Sequence, residues 1–233
     1  MKLVTIGDYD IAINEQSTDE QIIRPVLTGS EYTKFVKPAK SDIWLDAGAH
    51  VGAFALRFAP LVAHIYSYEP EPTNFTLLEF NTRKYNLRNV SLHNSALIGD
   101  DAKEVILSMS NGKDHSSGSI LPYVRRKEYF PVPAANILQV IETYSINCVK
   151  MDIEGAEYEC VKALPMRTMK KLKCLVMEYH FSMLGDVGTG EFYFELIKHL
   201  KRGFRNVQYK TDVGKNWNCI VYASNEEKHG KSD

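Results

Sequence analysis

Asp46-Ala47-Gly48-Ala49-His50-Val51-Gly52 is the stretch that decides the fold. The apolar run Ile43 to Ala47 before it reads as a strand and the periodic run Val51 to Ala59 after it reads as a helix, so the small residues fall in a strand-to-helix turn. At the carboxyl edge of a parallel sheet, such a turn lets a ligand approach bare backbone. The glycines are spaced Gly-x-x-x-Gly and the loop opens on a carboxylate, which separates it from the dinucleotide fingerprint. An anion there would repel a pyrophosphate, whereas S-adenosylmethionine has no phosphate and presents an ammonium and a sulfonium. The expected ligand of Asp46, Ala47, Gly48, His50 and Gly52 is therefore S-adenosylmethionine and not NAD.

Outward from the loop, strand-like runs at His64 to Tyr68, Val90 to His93, Cys148 to Asp152 and Leu172 to Glu178 alternate with helical stretches at Thr73 to Tyr85, Ala156 to Leu164 and Glu191 to Lys201. That alternation predicts βαβ units and a parallel sheet. Phe204 to Lys210 and Asn218 to Ala223 flank a polar turn, so they close as a hairpin and give the sheet an antiparallel edge. Upstream, Val4 to Ile13 reads as a hairpin about Gly7-Asp8, Ser17 to Leu27 as a capped helix kinked at Pro25, and Ser30 to Val36 as a second short helix. The expected division is an appendage over 1–40, a catalytic body over 41–224 and a polar, disordered tail over 225–233. An insertion over 98–147, with a strand at Glu104 to Leu107 and a polar stretch Ser108 to Ser119, is a candidate substrate lid.

A net charge of -1 over 233 residues gives no global attraction to nucleic acid or anionic lipid. The four cysteines form no CxxC pair and read as core thiols. No basic patch followed by an apolar stretch opens the chain, and the longest apolar region, Ile43 to Tyr68, is interrupted by Asp46, His50, Arg57 and His64, so neither a secretory leader nor a membrane span is expected. A cytoplasmic setting follows as the expectation, and nothing in the sequence specifies an oligomer.

Glu69 ends the second strand of the body before Pro70, where a carboxylate can accept hydrogen bonds from both ribose hydroxyls of an adenosine. Ser95 and Ala96, within Asn94 to Leu97, follow the next strand where an adenine ring would lie. On the fourth strand Lys150 and Asp152 alternate to one side, and Asp152, Glu154 and Glu157 gather carboxylates near its end, which is costly without a function or a cation.

The loop Asp46-Ala-Gly-Ala-His-Val-Gly52, the strand end Tyr68-Glu69-Pro70 and the block Lys150-Met-Asp-Ile-Glu-Gly-Ala-Glu157, in that order within Asp42 to His180, resemble the FkbM family of methyltransferases. The resemblance implies a Rossmann-like class I methyltransferase fold, mostly parallel and seven-stranded with the antiparallel C-terminal hairpin, that uses S-adenosylmethionine. It also implies methylation of a hydroxyl on a small molecule or sugar. Family members commonly carry a Leu-Asp pair upstream of the fourth strand, and this chain has Ala135-Asn136-Ile137-Leu138-Gln139-Val140 there.

A neutral hydroxyl needs help losing its proton. Asp152 is expected either to orient or deprotonate it, with Lys150 as charge partner, or to touch the methionine moiety of the cofactor. Glu178 and His180 form a second catalytic pair at the end of the fifth strand. No spacing motif calls for a metal, and none is expected; the set that could ligate a divalent ion is Asp152, Glu178 and His180. His115 to Ser119 could meet substrate or the cofactor carboxylate. Arg125-Arg126-Lys127 beside Tyr123, Tyr129 and Phe130, with Lys170-Lys171-x-Lys173, supports the alternative of a nucleic-acid methyltransferase. A further alternative is a cofactor-binding interaction module without turnover.

Overall fold

The computed structural model describes residues 1–15, 17–29, 32, 36–109, 118–120, 128–180, 189–211 and 218–226. The chain opens with an antiparallel hairpin, β1 (Lys2–Ile6) and β2 (Tyr9–Ile13), and a helix α1 (Asp19–Thr28) that contains Pro25. Then come β3 (Ile43–Ala47), α2 (Ala53–Phe58), β4 (His64–Tyr68), α3 (Pro72–Lys84) and β5 (Val90–His93). The insertion supplies β6 (Ala96–Ile98), β7 (Glu104–Met109), β8 (Glu128–Asn136) and α4 (Ile137–Thr143). The chain returns with β9 (Cys148–Met151), α5 (Glu157–Lys162), α6 (Met166–Met169), β10 (Cys174–His180), α7 (Thr189–Gly203), β11 (Asn206–Thr211) and β12 (Asn218–Ser224).

The seven-stranded sheet has the order β11-β12-β10-β9-β3-β4-β5. β12 runs antiparallel to both β10 and β11, and the other pairings are parallel. From β3 the chain winds outward to β4 and β5, then crosses back to β9 on the other side of β3. The order therefore reverses between β3 and β9, the switch point where open α/β sheets leave a crevice for ligands. Ala47 pairs with Met151 there, so Gly48 and Asp152 leave the sheet side by side.

Both faces of the sheet are covered, which is why its central strands read as continuous apolar runs. Leu45, Val149, Leu175 and Met177 pack with α4, α5 and α7 residues on one side, while Trp44, Cys148 and Val176 pack with Phe54 and Phe58 of α2 on the other. The N-terminal hairpin does not stand apart. Ile6, Ile11, Ile23 and Leu27 share a cluster with Val51, Leu56 and Leu77, so the appendage rests on the elements around the Asp46–Gly52 loop. Each such side chain fully buried contributes about 1.5–3 kcal/mol.

Several expectations move. α2 begins at Ala53, not Val51, because Gly52 at its N-cap holds φ 97°, outside the helical region. The fifth body strand runs Cys174–His180 and not Leu172 to Glu178, so Glu178 and His180 lie inside its last turn of pairing, opposite Ile220 and Asn218. Among the described residues the insertion is chiefly sheet and helix, with strand order β6-β8-β7. β8 is hidden in the sequence by Pro131 and Pro133. Ala134 donates to Lys103 on the β7 side, so by alternation both proline nitrogens face away from β7, where β6 pairs only from Ala134 onward. α4 was missed as well. Its N-cap is Asn136, whose side chain accepts from the amides of Leu138 (2.9 Å) and Gln139 (3.1 Å). The tail is tied down at its start, since Asn225 Nδ2 donates to the carbonyls of Met169 and Leu172. Residues 227–233 of the tail, most of the expected Ser30 to Val36 helix, 115–117, Tyr123 and 125–127 lie outside the described residues.

Candidate active site

Gly48 is where the loop leaves β3. Its φ is 76°, and a Cβ on it would sit 1.7 Å from the Asp152 carbonyl oxygen, so no other residue fits without moving β9. Gly48 and Ala49 donate to the Tyr68 carbonyl at 3.0 and 2.9 Å, and Asp152 donates to the Ala47 carbonyl at 3.0 Å. Backbone from β3, β4 and β9 thus fixes one turn, whose next residue, His50, also has a positive φ of 53°.

Asp46 is placed differently from the expectation. It is fully buried and ion-paired with Lys150 Nζ at 3.1 Å, and it accepts from Ser67 Oγ at 3.3 Å. Burial works against the ammonium of Lys150, but Asp46, with Asp152 and Glu69, outweighs it and raises the Lys150 pKa. Lys150 also donates to the carbonyls of Ala47 and Gly48. The pair therefore braces the loop from beneath. Asp46, Ala47, Gly52 and Lys150 are not on the cavity wall, and Lys150 pairs directly with Asp46, with the Asp152 carboxylate as a further charge neighbour. The reason is the pleat: Asp46 and Lys150 are register partners on adjacent strands, pointing the same way into the sheet's covered face.

The wall belongs to a cavity of about 350 Å³ over the switch point, lined by Gly48, His50, Tyr68, Glu69, Pro70, Ser95, Ala96, Leu97, Asp152, Glu154, Glu178 and His180, among others. Glu69 is almost wholly buried. One of its carboxylate oxygens accepts from the Glu71 amide at 3.0 Å and the other from the His50 amide at 2.8 Å. Those bonds fix the carboxylate and leave each oxygen a lone pair for an incoming hydroxyl. Burial pushes the Glu69 pKa up, against His50 and the two amides. Asn94 Nδ2 ties the next strand's end to the carbonyls of Glu69 and Pro70 at 2.8 and 3.1 Å, which sets Ser95 and Ala96 beside them. His50 reaches out to Asp19 of α1, Nε2 to Oδ1 3.1 Å. Burial disfavours its charge, but Asp19 reverses that and raises the His50 pKa. α1 in turn sends Gln21, Ile22 and Pro25 to the cavity wall.

At the other end the carboxylates gather. His180, 4% exposed, has Nδ1 2.9 Å from Oε1 of the fully buried Glu157. Its Nε2 faces Asp152 Oδ1 at 3.8 Å and Glu154 Oε2 at 3.9 Å. Burial alone would lower the His180 pKa; Glu157, with Glu154 and Asp152, raises it to about 10. Glu154 has a positive φ of 55° and a carboxyl pushed up to about 7, by burial and by Asp152, Glu157 and Glu178 against the opposing His180. Asp152, Glu178 and His180 are thus brought together as expected. Glu154 and Glu157 were visible as charges but had no assigned role, because only the fold shows that one faces the cavity and the other holds His180. The insertion, expected over the site, sends Leu107, Gly118 and Ile120 to the wall, whereas the contribution of α1 carries no sequence signal.

Comparison with known proteins settles the family. A family model described as the methyltransferase FkbM domain matches residues 46–210, from the loop aspartate to β11. The chain belongs to the FkbM methyltransferase family. It is similar in structure to the FkbM methyltransferase of Methylobacillus flagellatus KT, with a TM-score of 0.57 at 14% identity over 83% of this chain and 47% of that one. It thus spans about half that relative's length. An rRNA methylase from Streptococcus thermophilus gives 0.50 at 9% identity, over 93% of this chain and 100% of that one. The Methanococcus jannaschii fibrillarin pre-rRNA processing protein gives 0.51 at 13%, over 96% and 81%. At these identities the likeness is one of fold, the Rossmann-like class I methyltransferase sheet. No curated protein matches the chain. An FkbM methyltransferase takes its methyl group from S-adenosylmethionine, and the cavity fits that donor: a fixed carboxylate at Glu69 for a ribose, small and apolar wall at Ala96 and Leu97 for a ring, and glycine backbone at Gly48. Among the described residues no helix is long and apolar enough to cross a membrane.

Proposed function

We propose that this FkbM methyltransferase acts on a hydroxyl of a small molecule or sugar. The observation that carries the reading is the acceptor end of the cavity, where Asp152, Glu154 and Glu178 surround His180 and where the described wall includes no lysine or arginine. Such a wall repels phosphates and suits a neutral hydroxyl that must lose a proton.

In this reading Glu69 holds the ribose hydroxyls of S-adenosylmethionine, Ser95, Ala96 and Leu97 take its adenine, and Gly48 with His50 takes the methionine part. Bound there, the donor supplies an electrophilic methyl on a good leaving group. What the chain contributes is alignment and proton handling. Asp46 and Lys150 act beneath the loop, holding it to β9. Asp152 orients the acceptor, and Glu154, with its pKa near neutrality, receives the proton. His180, whose Nδ1 is held by Glu157, faces the carboxylates of Asp152 and Glu154 and orders that end of the cavity. A cytoplasmic setting and the division into appendage, body and tail belong to the same proposal, the former supported by four buried free thiols.

The test is a transfer assay with methyl-labelled S-adenosylmethionine against a panel of hydroxylated small molecules and sugars beside structured RNA. Label on a hydroxyl compound, reduced by Asp152→Asn and by Glu154→Gln, supports the reading. Label on RNA alone would replace it with the nucleic-acid alternative.

A further inference from the structure

Asp152 from the end of β9 and Glu178 and His180 from the end of β10 each offer one donor atom, and these atoms all lie within 4.8 Å of one another. Donors that share an ion at roughly 2.0–2.6 Å stand at most about 5 Å apart, so the three can reach a common centre. A cluster of carboxylates does not by itself specify a cation. His180 supplies the independent sign. It is 4% exposed, its Nδ1 is held by Glu157, and its Nε2 is turned into the cluster with Asp152 and Glu154 at 3.8 and 3.9 Å, beyond hydrogen-bonding reach. Glu157 Oε1 is itself pinned by the amides of Ile153 (3.2 Å) and Gly155 (3.1 Å). A buried carboxylate on the far nitrogen fixes the tautomer and raises the basicity of the near one, which is the surrounding a metal-bound histidine has. The nearby ammonium of Lys150 makes its direct ion pair with Asp46, at 3.1 Å.

We propose that Asp152, Glu178 and His180 bind a divalent cation, that Glu157 positions His180 for it, and that the acceptor hydroxyl completes its coordination. Two carboxylates with one imidazole suit a borderline ion such as Mn²⁺ better than an all-oxygen Ca²⁺ site. The ion lowers the pKa of the hydroxyl it holds. The acceptor O–H bond then breaks, the proton passes to the Glu154 carboxylate, and the electron pair stays on oxygen for attack on the methyl carbon of the S-adenosylmethionine cosubstrate. The carbon–sulfur bond breaks as the oxygen–carbon bond forms, its electron pair leaving on sulfur as S-adenosylhomocysteine. This role rests on the hydroxyl-acceptor reading; binding of the ion does not, and is tested without cofactor.

Mn²⁺ is titrated into the full chain at neutral pH, with the free ion followed by its electron paramagnetic resonance signal. Saturable binding of one ion per chain is expected. Asp152→Asn and Glu178→Gln should each weaken it by tenfold or more, Glu157→Gln by about 10–100-fold, and the exposed Glu79→Gln on α3 not at all. Asp152 is a quarter exposed and its variant should fold, so the result does not depend on a His180 substitution. Absence of stoichiometric binding, or binding that persists in both ligand variants, overturns the proposal. A parallel S-adenosylhomocysteine titration separates the claims: cofactor binding without Mn²⁺ binding removes the cation and leaves the methyltransferase reading standing.

Discussion

Replacing Gly48 with alanine perturbs the tightest point of the site. The new Cβ would start 1.7 Å from the Asp152 carbonyl oxygen and 2.8 Å from its carbon. Ordinary contact begins near 3.4 Å, so loop and strand end must part by more than an ångström. That separation strains the Asp152 amide's 3.0 Å bond to Ala47 and the Gly48 amide's 3.0 Å bond to Tyr68. The positive φ of 76° adds about 1 kcal/mol for a residue with a Cβ, and overpacking of this kind adds about 1–3 kcal/mol. Together these give about 2–4 kcal/mol. At about 2–4 °C per kcal/mol for a chain of this size, the melting temperature should fall by about 5–15 °C. A displacement of an ångström at a reacting centre costs about a hundredfold in rate. The assays are a thermal melt and a calorimetric titration with S-adenosylhomocysteine. A variant that melts within a degree or two of the parent and binds the ligand equally well would refute the argument that the loop is held against β9 by the absence of a side chain.

Glu69→Gln removes the charge from hydrogen bonds to two hydroxyls and should weaken S-adenosylhomocysteine binding by about 10–100-fold, read calorimetrically, with circular dichroism unchanged. Asp46→Asn leaves Lys150 buried without its counter-charge and should destabilise by about 3–5 kcal/mol, whereas Asp46→Asn with Lys150→Met should recover much of that in a denaturant melt. Because the Glu154 pKa is raised from 4.5 to about 7 on folding, its neutral form is the favoured one, and stability is lost as it ionises between those values. Glu154→Gln should therefore gain stability relative to the parent as pH rises from 4.5 to 7, seen as converging or crossing melting temperatures, and should remove the acid limb of the rate profile near pH 7. Asn136→Ala deletes the cap of α4 and should cost about 1 kcal/mol, or about 2–4 °C in the melt.

The geometry of the proposed cofactor half was legible because its determinants are local. Gly48 and Gly52 announce a turn, Glu69 ends a strand, and their order follows from βαβ winding. Asp46 was misread for a physical reason: sequence shows a carboxylate at a loop's start, and only the register with Lys150 shows that it turns inward. The acceptor half depends on contacts between distant segments. Glu157 reads as one of three clustered carboxylates, and only β10, which brings His180 against it, shows what it holds. β8 was obscured by Pro131 and Pro133, which lie where it pairs with β7 alone, and α4 was obscured because it is a short helix whose cap is an asparagine. The part played by α1 follows from Asp19 meeting His50, a pairing no local pattern encodes.

The central claim is that the cavity between β3 and β9 binds the methyl donor. Its most direct measurement is calorimetric titration of the full chain with S-adenosylhomocysteine beside NAD, repeated on Glu69→Gln. Stoichiometric binding of the adenosyl ligand, none of NAD, and a loss of about tenfold or more in the variant is the predicted result. A folded protein that gives no heat with S-adenosylhomocysteine, or that binds it equally with and without the Glu69 carboxylate, would contradict the account.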